Sequence, residues 1–209
     1  MSGAVVIGVG PGIGQAVARR FAAQGLRIGL IARKETTVAA AAAGLEGAVT
    51  ATADVADEGA LRAALDKVTA ELGTPDAVIY NAAVIRPDGP GELSAREHLD
   101  AYAVNVVGAL TAAAHLAPAM VEGGSFLITG GMPDPVPGYI SLSLGKAGVR
   151  TLVELLHQHY GEHGLHVASV TVGGAVAPGT AYDPDDIAEH YWRLHTEPRE
   201  QWRREVRHG

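Results

Sequence analysis

The sequence predicts a doubly wound α/β fold, with an open parallel sheet of about six strands and helices on both faces. Short apolar runs alternate with helical patterns from the N-terminus onwards, as in chains whose parallel strands are joined by helices. A glycine-rich segment separates the first apolar run from the first helical pattern. No internal repeat interrupts this alternation, so residues 1–209 are predicted to form a single domain.

The predicted strands are short runs of aliphatic residues, which is typical of strands that are buried on both faces of a sheet. They cover Ala4–Ile7, Arg27–Ala32, Ala48–Ala53, Asp76–Tyr80, Ser125–Thr129 and Val167–Val172. No seventh strand is predicted after residue 174, where an amphipathic helix and a short charged helix are expected to end the chain.

The predicted helices lie between these strands and carry recognisable start and stop residues. They are expected at Gln15–Ala23, Glu35–Ala43, Asp57–Leu72, from Ser94 to near Gly123, at Tyr139–His159, and from Asp185 or Asp186 to His195. Asp57 and Ser94 are expected to cap the helices that they begin, because their side chains accept hydrogen bonds from free backbone amides. Gly25, Gly44 and Gly73 follow helical patterns, where glycine commonly ends a helix.

The composition argues against several classes of function. The formal net charge of −7 argues against nucleic-acid binding, which needs a basic surface. The absence of cysteine excludes disulfides and thiolate chemistry. His159 and His163 have a zinc-compatible spacing, but no third ligand is evident, so no metal is predicted. Because no leader-like segment and no apolar stretch of about 18 residues is evident, a cytoplasmic protein without membrane contact is expected.

The glycine-rich segment is the first candidate site, because it follows a predicted strand and precedes a predicted helix. Glycines let the backbone approach a diphosphate closely, and the first turn of the helix supplies unpaired amides. A tight turn without a ligand would need fewer glycines. The segment therefore predicts a dinucleotide site, whose candidate residues are Gly8, Gly10, Pro11, Gly12, Ile13 and Gly14.

The end of the second predicted strand indicates which dinucleotide is bound. Arg33 and Lys34 stand there, and no acidic residue occurs before Glu35. Proteins that bind NAD usually place an acid at this point to contact the ribose hydroxyls, whereas a guanidinium group suits a 2′-phosphate. The alternative is a pair of solvated cations at a strand end. The contrast favours NADP(H) over NAD(H).

Several further residues, in the same order along the chain, resemble the short-chain dehydrogenase/reductase family. They are Asp54 and Val55 after strand three, Asn81, Ala82 and Ala83 after strand four, Asn105 in the long helix, and Lys146. Together with the glycine segment, the resemblance covers nearly the whole chain and implies a Rossmann-like fold.

The resemblance implies a role for each of these residues. Asp54 and Val55 would contact the adenine, and the turn at residues 81–83 would line the cofactor. Asn105 would hold a water of the proton relay, and Lys146 would bind the nicotinamide ribose. Gly174 takes the place of the family's glycine after strand six, and is expected to contact the cofactor as well.

The chain departs from the family pattern where the family has its catalytic tyrosine and serine. Leu142 stands four residues before Lys146, in the position of the tyrosine, and Thr129 stands in the position of the serine that contacts the substrate oxygen. Loss of a general acid lowers a rate by about 10²- to 10⁴-fold. The short segment between Gly174 and Asp185 and the missing terminal strand further predict a shortened lid and C-terminal region.

Tyr139 is the candidate replacement for the missing proton donor. Tyr139, Leu142 and Lys146 share one helix face if the helix begins early enough, and Pro137 is suited to a first turn. Tyr139 would then lie about one turn, ~5.4 Å, from the usual donor position. A water molecule or a shifted substrate would bridge that distance. The alternative is that Tyr139 packs against the lid or a partner subunit.

Three functions remain open at this point. The first is an atypical NADP(H)-dependent oxidoreductase that reduces a small carbonyl or imine, with Lys146, Asn105, Thr129 and Tyr139 at the reacting end. The second is a non-catalytic NADP-binding sensor or partner protein. The third is a redox-neutral lyase or isomerase that keeps the same scaffold, since a fold does not fix a function.

A homodimer is expected, formed through the helices that contain Asn105 and Lys146. Leu152, Leu155 and Leu156 are interpreted as outward-facing residues of the second helix, and they resemble the family's helix–helix interface. The predicted absence of a terminal strand favours a dimer over a tetramer, because it would remove a second interface.

Overall fold

A computed structural model describes residues 3–120 and 123–209 and contains a parallel sheet of seven strands. The strands are β1 (Gly3–Ile7), β2 (Arg27–Ala32), β3 (Val49–Thr52), β4 (Ala77–Tyr80), β5 (Ser125–Thr129), β6 (His166–Val172) and β7 (Glu205–His208). Their order in the sheet is β3-β2-β1-β4-β5-β6-β7. The order reverses between β1 and β4, where ligands bind in doubly wound sheets. The predicted fold class is confirmed.

The helices alternate with these strands. They are α1 (Ile13–Ala22), α2 (Glu35–Ala42), α3 (Glu58–Leu72), α4 (Ala95–Tyr102), α5 (Gly108–Leu116), α6 (Ile140–Tyr160) and α7 (Pro184–His195). Asp57 and Ser94 cap α3 and α4 as predicted, whereas α7 is capped by Asp183 and begins earlier than predicted. The predicted long helix is divided into α4 and α5 by a π-helix at Ala103–Val107.

The end of the chain differs from the prediction. Strand β7 pairs in parallel with β6, from Ser169 opposite Glu205 to Val172 opposite His208. The predicted absence of a terminal strand and the predicted charged helix at residues 199–207 are therefore wrong. The charged residues of β7 led to the prediction of a helix. An edge strand tolerates such residues because it is paired on one side only. One of these charges is satisfied within the sheet, since the Thr171 hydroxyl donates to the Glu205 carboxylate over 2.6 Å.

The sheet separates two hydrophobic cores. Val5 and Ile7 of β1 point into the core beneath α3, α5 and α6, whereas Ala4 and Val6 point into the core beneath α1, α2 and α7. All four residues are fully buried, as strands covered on both faces require.

The leucines expected at an interface on α6 have different environments. Leu155 is exposed, but Leu152 and Leu156 are buried in the core of the chain itself. The prediction that all three face outward is wrong, because the i and i+4 positions of this helix face the sheet.

One helical stretch meets the length and composition of a membrane span, which the sequence reasoning did not anticipate. It covers Ala95–Ala119, with a mean hydropathy of 1.2, and 44% of the window is buried inside the protein. A core helix of a soluble protein passes the same test, so the stretch is weak evidence for a span.

Candidate functional site

A cleft of about 1240 Å³ lies at the carboxyl ends of the strands. Most of the predicted site residues line it: Gly8, Gly10, Pro11, Gly12, Ile13, Arg33, Lys34, Asp54, Val55, Asn81, Ala82, Ala83, Thr129, Tyr139, Lys146 and Gly174. The two exceptions, Gly14 and Asn105, lie behind its wall. The cleft therefore brings together residues that are far apart in the sequence.

The glycines between β1 and α1 fall into two groups. A Cβ atom on Gly8 would lie 2.3 Å from the Ala82 nitrogen, and one on Gly14 would lie 2.9 Å from the Val9 Cα, so packing explains both. A Cβ on Gly10 would meet nothing within 4 Å, and the one on Gly12 would meet only the Val176 side chain at 3.7 Å.

Gly10 and Gly12 thus leave open space above the start of α1. Gly12 is the N-cap of this helix, yet no side chain caps it and no acidic residue lies in its first turn. Unpaired amides and the positive end of the helix dipole favour a phosphate at this point. We call the open space at Gly10 and Gly12, which a Cβ atom would fill, the glycine cradle. It fits the diphosphate of a dinucleotide.

The cations after β2 are free to contact a ligand. Arg33 and Lys34 are exposed, and neither side chain makes a hydrogen bond or an ion pair within residues 3–120 and 123–209. A smaller cavity of about 260 Å³ adjoins them, lined by Gly10, Pro11 and Thr37 among others. The arrangement can hold a phosphate beside the glycine segment.

A chain of buried hydrogen bonds connects the sheet to the glycine segment. The Asn81 Nδ2 donates to the Gly8 carbonyl over 2.9 Å, and the Thr129 hydroxyl donates to the Asn81 Oδ1 over 2.8 Å. The Tyr191 hydroxyl lies 2.7 Å from the Thr129 oxygen and must be the donor, because Thr129 has already used its single proton.

These hydrogen bonds change the role expected for the Thr129 hydroxyl. Its hydroxyl proton is engaged with Asn81, so it has none to donate to a substrate oxygen. Gly131 also lies beside the lysine side chain, since a Cβ at this position would lie 3.6 Å from the Lys146 Cε. Tyr191 was missed by sequence reasoning, because a tyrosine in an amphipathic helix gives the same pattern whether or not its hydroxyl has a partner.

Lys146 is buried but borders the cleft. Its Nζ donates to the Thr129 carbonyl over 2.7 Å, and burial lowers the pKa of the ammonium group to about 8. Leu142, one helical turn earlier, is buried and also lines the cleft. A leucine at this point provides an apolar wall and no proton.

Asn105 lies in the π-helix, a distortion that is common at functional sites. Its Oδ1 accepts a hydrogen bond from the Val84 amide over 2.7 Å, whereas its buried Nδ2 has no partner among the described residues. A Cβ on Gly145 would lie 2.7 Å from this Nδ2, so α6 approaches Asn105 closely. The side chain thus lies between the loop after β4 and α6 and contacts both.

Tyr139 borders the cleft but does not belong to α6. The helix begins at Ile140, and Tyr139 is its N-cap with a non-helical backbone. The helix would have to begin before Tyr139 for this residue to share a helix face with Leu142 and Lys146, and it does not. The helix starts here because Asp88 caps it from another loop.

Asp88 is a second residue that sequence reasoning missed. It is buried, and its carboxylate accepts hydrogen bonds from the Ser141 amide over 2.9 Å and the Ser141 hydroxyl over 3.0 Å. The Asp88 amide also donates to the Gly138 carbonyl over 2.9 Å. Local sequence patterns cannot reveal a cap that comes from 53 residues away. Asp88 holds the loop after β4 and the start of α6 together.

The segment between β6 and α7 covers one side of the cleft. Gly174 is pressed against the ring of Tyr182, since a Cβ would lie 2.2 Å from it, and the Ala177 amide donates to the Tyr182 carbonyl over 3.2 Å. Val176 reaches back towards Gly12 in the glycine segment. The first residues of this segment, 173–176, thus form one wall of the cleft.

Comparisons with known proteins show the family to which the chain is similar. A family model for the short chain dehydrogenases matches residues 2–186. The chain is 31% identical over 195 residues to cis-4-hydroxycyclohexanecarboxylate dehydrogenase from Sinomonas cyclohexanicum, covering 88% of this chain and 77% of that protein. It is 26% identical over 185 residues to glucose 1-dehydrogenase from Gluconobacter oxydans, covering 83% of this chain and 69% of that protein.

Solved structures show the same fold. A metagenomic short-chain oxidoreductase in complex with NADP superposes with a TM-score of 0.87 at 28% identity, covering 100% of this chain and 97% of that chain. A short-chain dehydrogenase from Rhodopseudomonas palustris superposes with a TM-score of 0.88 at 21% identity, covering 99% and 97%.

Proposed function

Because the chain belongs to the short-chain dehydrogenase family, we propose that it is an NADP(H)-dependent oxidoreductase that reduces a small carbonyl or imine. One observation carries this proposal: a single cleft joins the glycine cradle, the cations at Arg33 and Lys34, and the buried amine of Lys146. The bound cofactor would supply the hydride for the reaction. The chain's own residues would hold the cofactor and the substrate in contact.

The preference for NADP(H) is supported by charge. Arg33 and Lys34 have no anionic partner among the described residues, and Asp54 is the acidic side chain that lines the cleft. Two exposed cations beside the glycine cradle match a 2′-phosphate, and they would contribute nothing specific to a ribose hydroxyl.

We propose an atypical catalytic end, in which leucine replaces the family's tyrosine. The Lys146 ammonium group donates one of its protons to the Thr129 carbonyl and would bind the nicotinamide ribose with the other two. Asn105 would support the wall of the cleft behind the lysine. Tyr139 and Lys146 are the titratable groups that border this end of the cleft. Replacing each by a residue that cannot donate a proton near neutral pH, as in Tyr139→Phe and Lys146→Arg, identifies which one protonates the product oxygen.

A second candidate function is binding without turnover, as in a sensor or partner protein. Leu142 favours it, and so does the absence of a side chain at Gly131, because both positions leave the lysine without a hydroxyl neighbour. A protein of this kind would bind NADPH and leave it unchanged.

Titration of the protein with NADPH and with NADH, followed by fluorescence, separates these candidates. A panel of ketones, aldehydes and imines is then added to the same samples. Tight NADPH binding with oxidation by any panel member supports the reductase, and tight binding without turnover supports the second candidate. The absence of binding would contradict both.

We further propose a homodimer through α4, α5 and α6. Leu99, Leu110 and Leu144 are exposed on these helices, and Leu155 extends the apolar surface along α6. Exposed leucines on adjacent helices are typical of subunit interfaces. Sedimentation of the parent protein and of Leu144→Glu tests this, since the charge would dissociate a dimer and leave a monomer unaffected.

A further inference from the structure

The cleft has an apolar rim formed by three exposed side chains. They are Ile85, Val136 and Val176, which are 71%, 40% and 37% exposed, and all three line the cleft. They come from the loops after β4, β5 and β6, and Val176 extends the rim towards Gly12 of the glycine segment. Large aliphatic side chains that gather in this way around a cleft mark a binding site for an apolar group.

The wall beneath this rim is also apolar. Val84, Val104 and Leu142 line it, and the hydroxyl of Thr129 is engaged elsewhere. The charged residues that line the cleft are grouped at the opposite end, with Lys146 as the exception. Apart from Lys146 and Tyr139, no side chain at this end offers a free hydrogen-bonding group within residues 3–120 and 123–209.

The rim is held in place by hydrogen bonds rather than left to loose loops. The Asp88 carboxylate on Ser141 ties the loop that carries Ile85 to the start of α6. The Val136 amide is bonded to the Ser143 hydroxyl over 3.1 Å, which ties the second loop to the same helix. Two of the three apolar side chains are thus anchored to the helix that carries Lys146.

From these observations we infer that the substrate is an uncharged ketone, aldehyde or secondary alcohol with an alkyl or alicyclic body, and not a sugar, a polyol or a charged metabolite. The inference rests on the proposed function and specifies its substrate class. The carbonyl oxygen has Lys146 and Tyr139 as partners, and the hydrocarbon body has the rim. Hydroxyl groups of a polyol would lose their hydrogen bonds to water here without replacement, which is unfavourable.

A series of methyl ketones of increasing chain length tests the inference. We expect kcat/KM to rise roughly fourfold for each methylene group that the rim covers, and polyols such as threitol to be oxidised far more slowly than secondary alcohols of equal length. In the double variant Ile85→Ser/Val136→Ser, kcat/KM should depend less on the chain length of the ketone. The matched variant Ile85→Leu/Val136→Ile should keep the dependence of the parent protein. A polyol that is preferred over every alkyl substrate would overturn the inference.

Binding of Nile red, an uncharged apolar dye, gives a readout that needs no turnover. We expect its fluorescence to rise with the parent protein and the Leu/Ile variant, to fall with the Ser/Ser variant, and to be displaced by a long methyl ketone but not by threitol. Dye binding that is unaffected by the Ser/Ser variant would overturn the inference. If the parent protein does not bind NADPH, the proposed function is overturned instead. The two failures are therefore distinguishable.

Discussion

The two ends of the cleft are built in different ways. At the dinucleotide end, the contacts come from backbone that is open because Gly10 and Gly12 lack side chains, and from cations that directly follow a strand. At the reacting end, the contacts come from side chains such as Lys146 and Leu142, whose positions depend on partners in distant segments. The first end is specified locally, whereas the second depends on tertiary contacts.

The strongest test of this contrast introduces a proton donor at the reacting end, in the position where we propose that one is missing. In Leu142→Tyr, a phenol would lie one helical turn from Lys146, and we expect the rate of ketone reduction to rise by about 10²-fold, the lower range for a general acid. Leu142→Phe is the matched control, because it adds the same ring without the hydroxyl. Equal steady-state rates for the two variants would contradict the assignment of residue 142 as the vacant donor position.

The dinucleotide end is tested by filling its cradle. Gly10→Val adds a side chain that meets no protein atom at its Cβ, so the free energy of unfolding should change by less than about 0.5 kcal/mol. We expect the Kd for NADPH to rise by roughly 100-fold, equivalent to about 2.7 kcal/mol, because the side chain occupies the space of the diphosphate. Fluorescence titration and urea unfolding measure the two quantities. Unchanged affinity would show that the cofactor does not enter this space.

The buried lysine makes stability depend on pH. Burial lowers its pKa from 10.5 to about 8, so between these values the unfolded chain binds the extra proton and stability rises with pH. Between pH 7 and pH 10 this group raises the free energy of unfolding by on the order of 2 kcal/mol. Lys146→Met removes this contribution, so its stability relative to the parent protein should be highest at pH 7 and should decrease towards pH 10 in urea unfolding. A difference that does not vary with pH would contradict the burial of the charge.

The smallest expected effect concerns the choice of cofactor. Arg33→Ala/Lys34→Ala should raise the Kd for NADPH about tenfold, or about 1.4 kcal/mol, because both side chains are exposed and their charges are screened by solvent. The Kd for NADH should stay unchanged, and high salt should reduce the difference between the two cofactors. A parallel weakening of both cofactors would indicate that these cations do not distinguish them.

The sequence predicted the strands of the sheet better than its edge or its site. β2 and β5 begin and end where they were predicted, because a strand buried on both faces has a continuous apolar run at its centre. β7 was missed because a partly exposed edge strand contains one aliphatic residue, Val206, among charged ones. Its pairing with β6 is decided by the sheet and not by its own composition.

The candidate site shows the same limit. Lys146 and Asn81 could be located by motif, since Lys146 lies within a helix and Asn81 directly follows a strand that the pattern defines. The engagement of the Thr129 hydroxyl could not, because it depends on Tyr191, 62 residues further along the chain. The cap from Asp88 that sets the start of α6 is equally remote in sequence, and it removed the helical alignment expected for Tyr139.

Thr129 belongs to both ends of the cleft through two different atoms. Its hydroxyl supports the amide that holds the glycine segment, and its carbonyl holds the amine of Lys146. Any displacement of this one residue on cofactor binding is therefore passed to the lysine through the Thr129 backbone and a single hydrogen bond. A substitution at residue 129 that lacks a hydroxyl would remove the contact to Asn81 and keep the backbone acceptor for Lys146, so the two contacts of this residue can be separated by mutation.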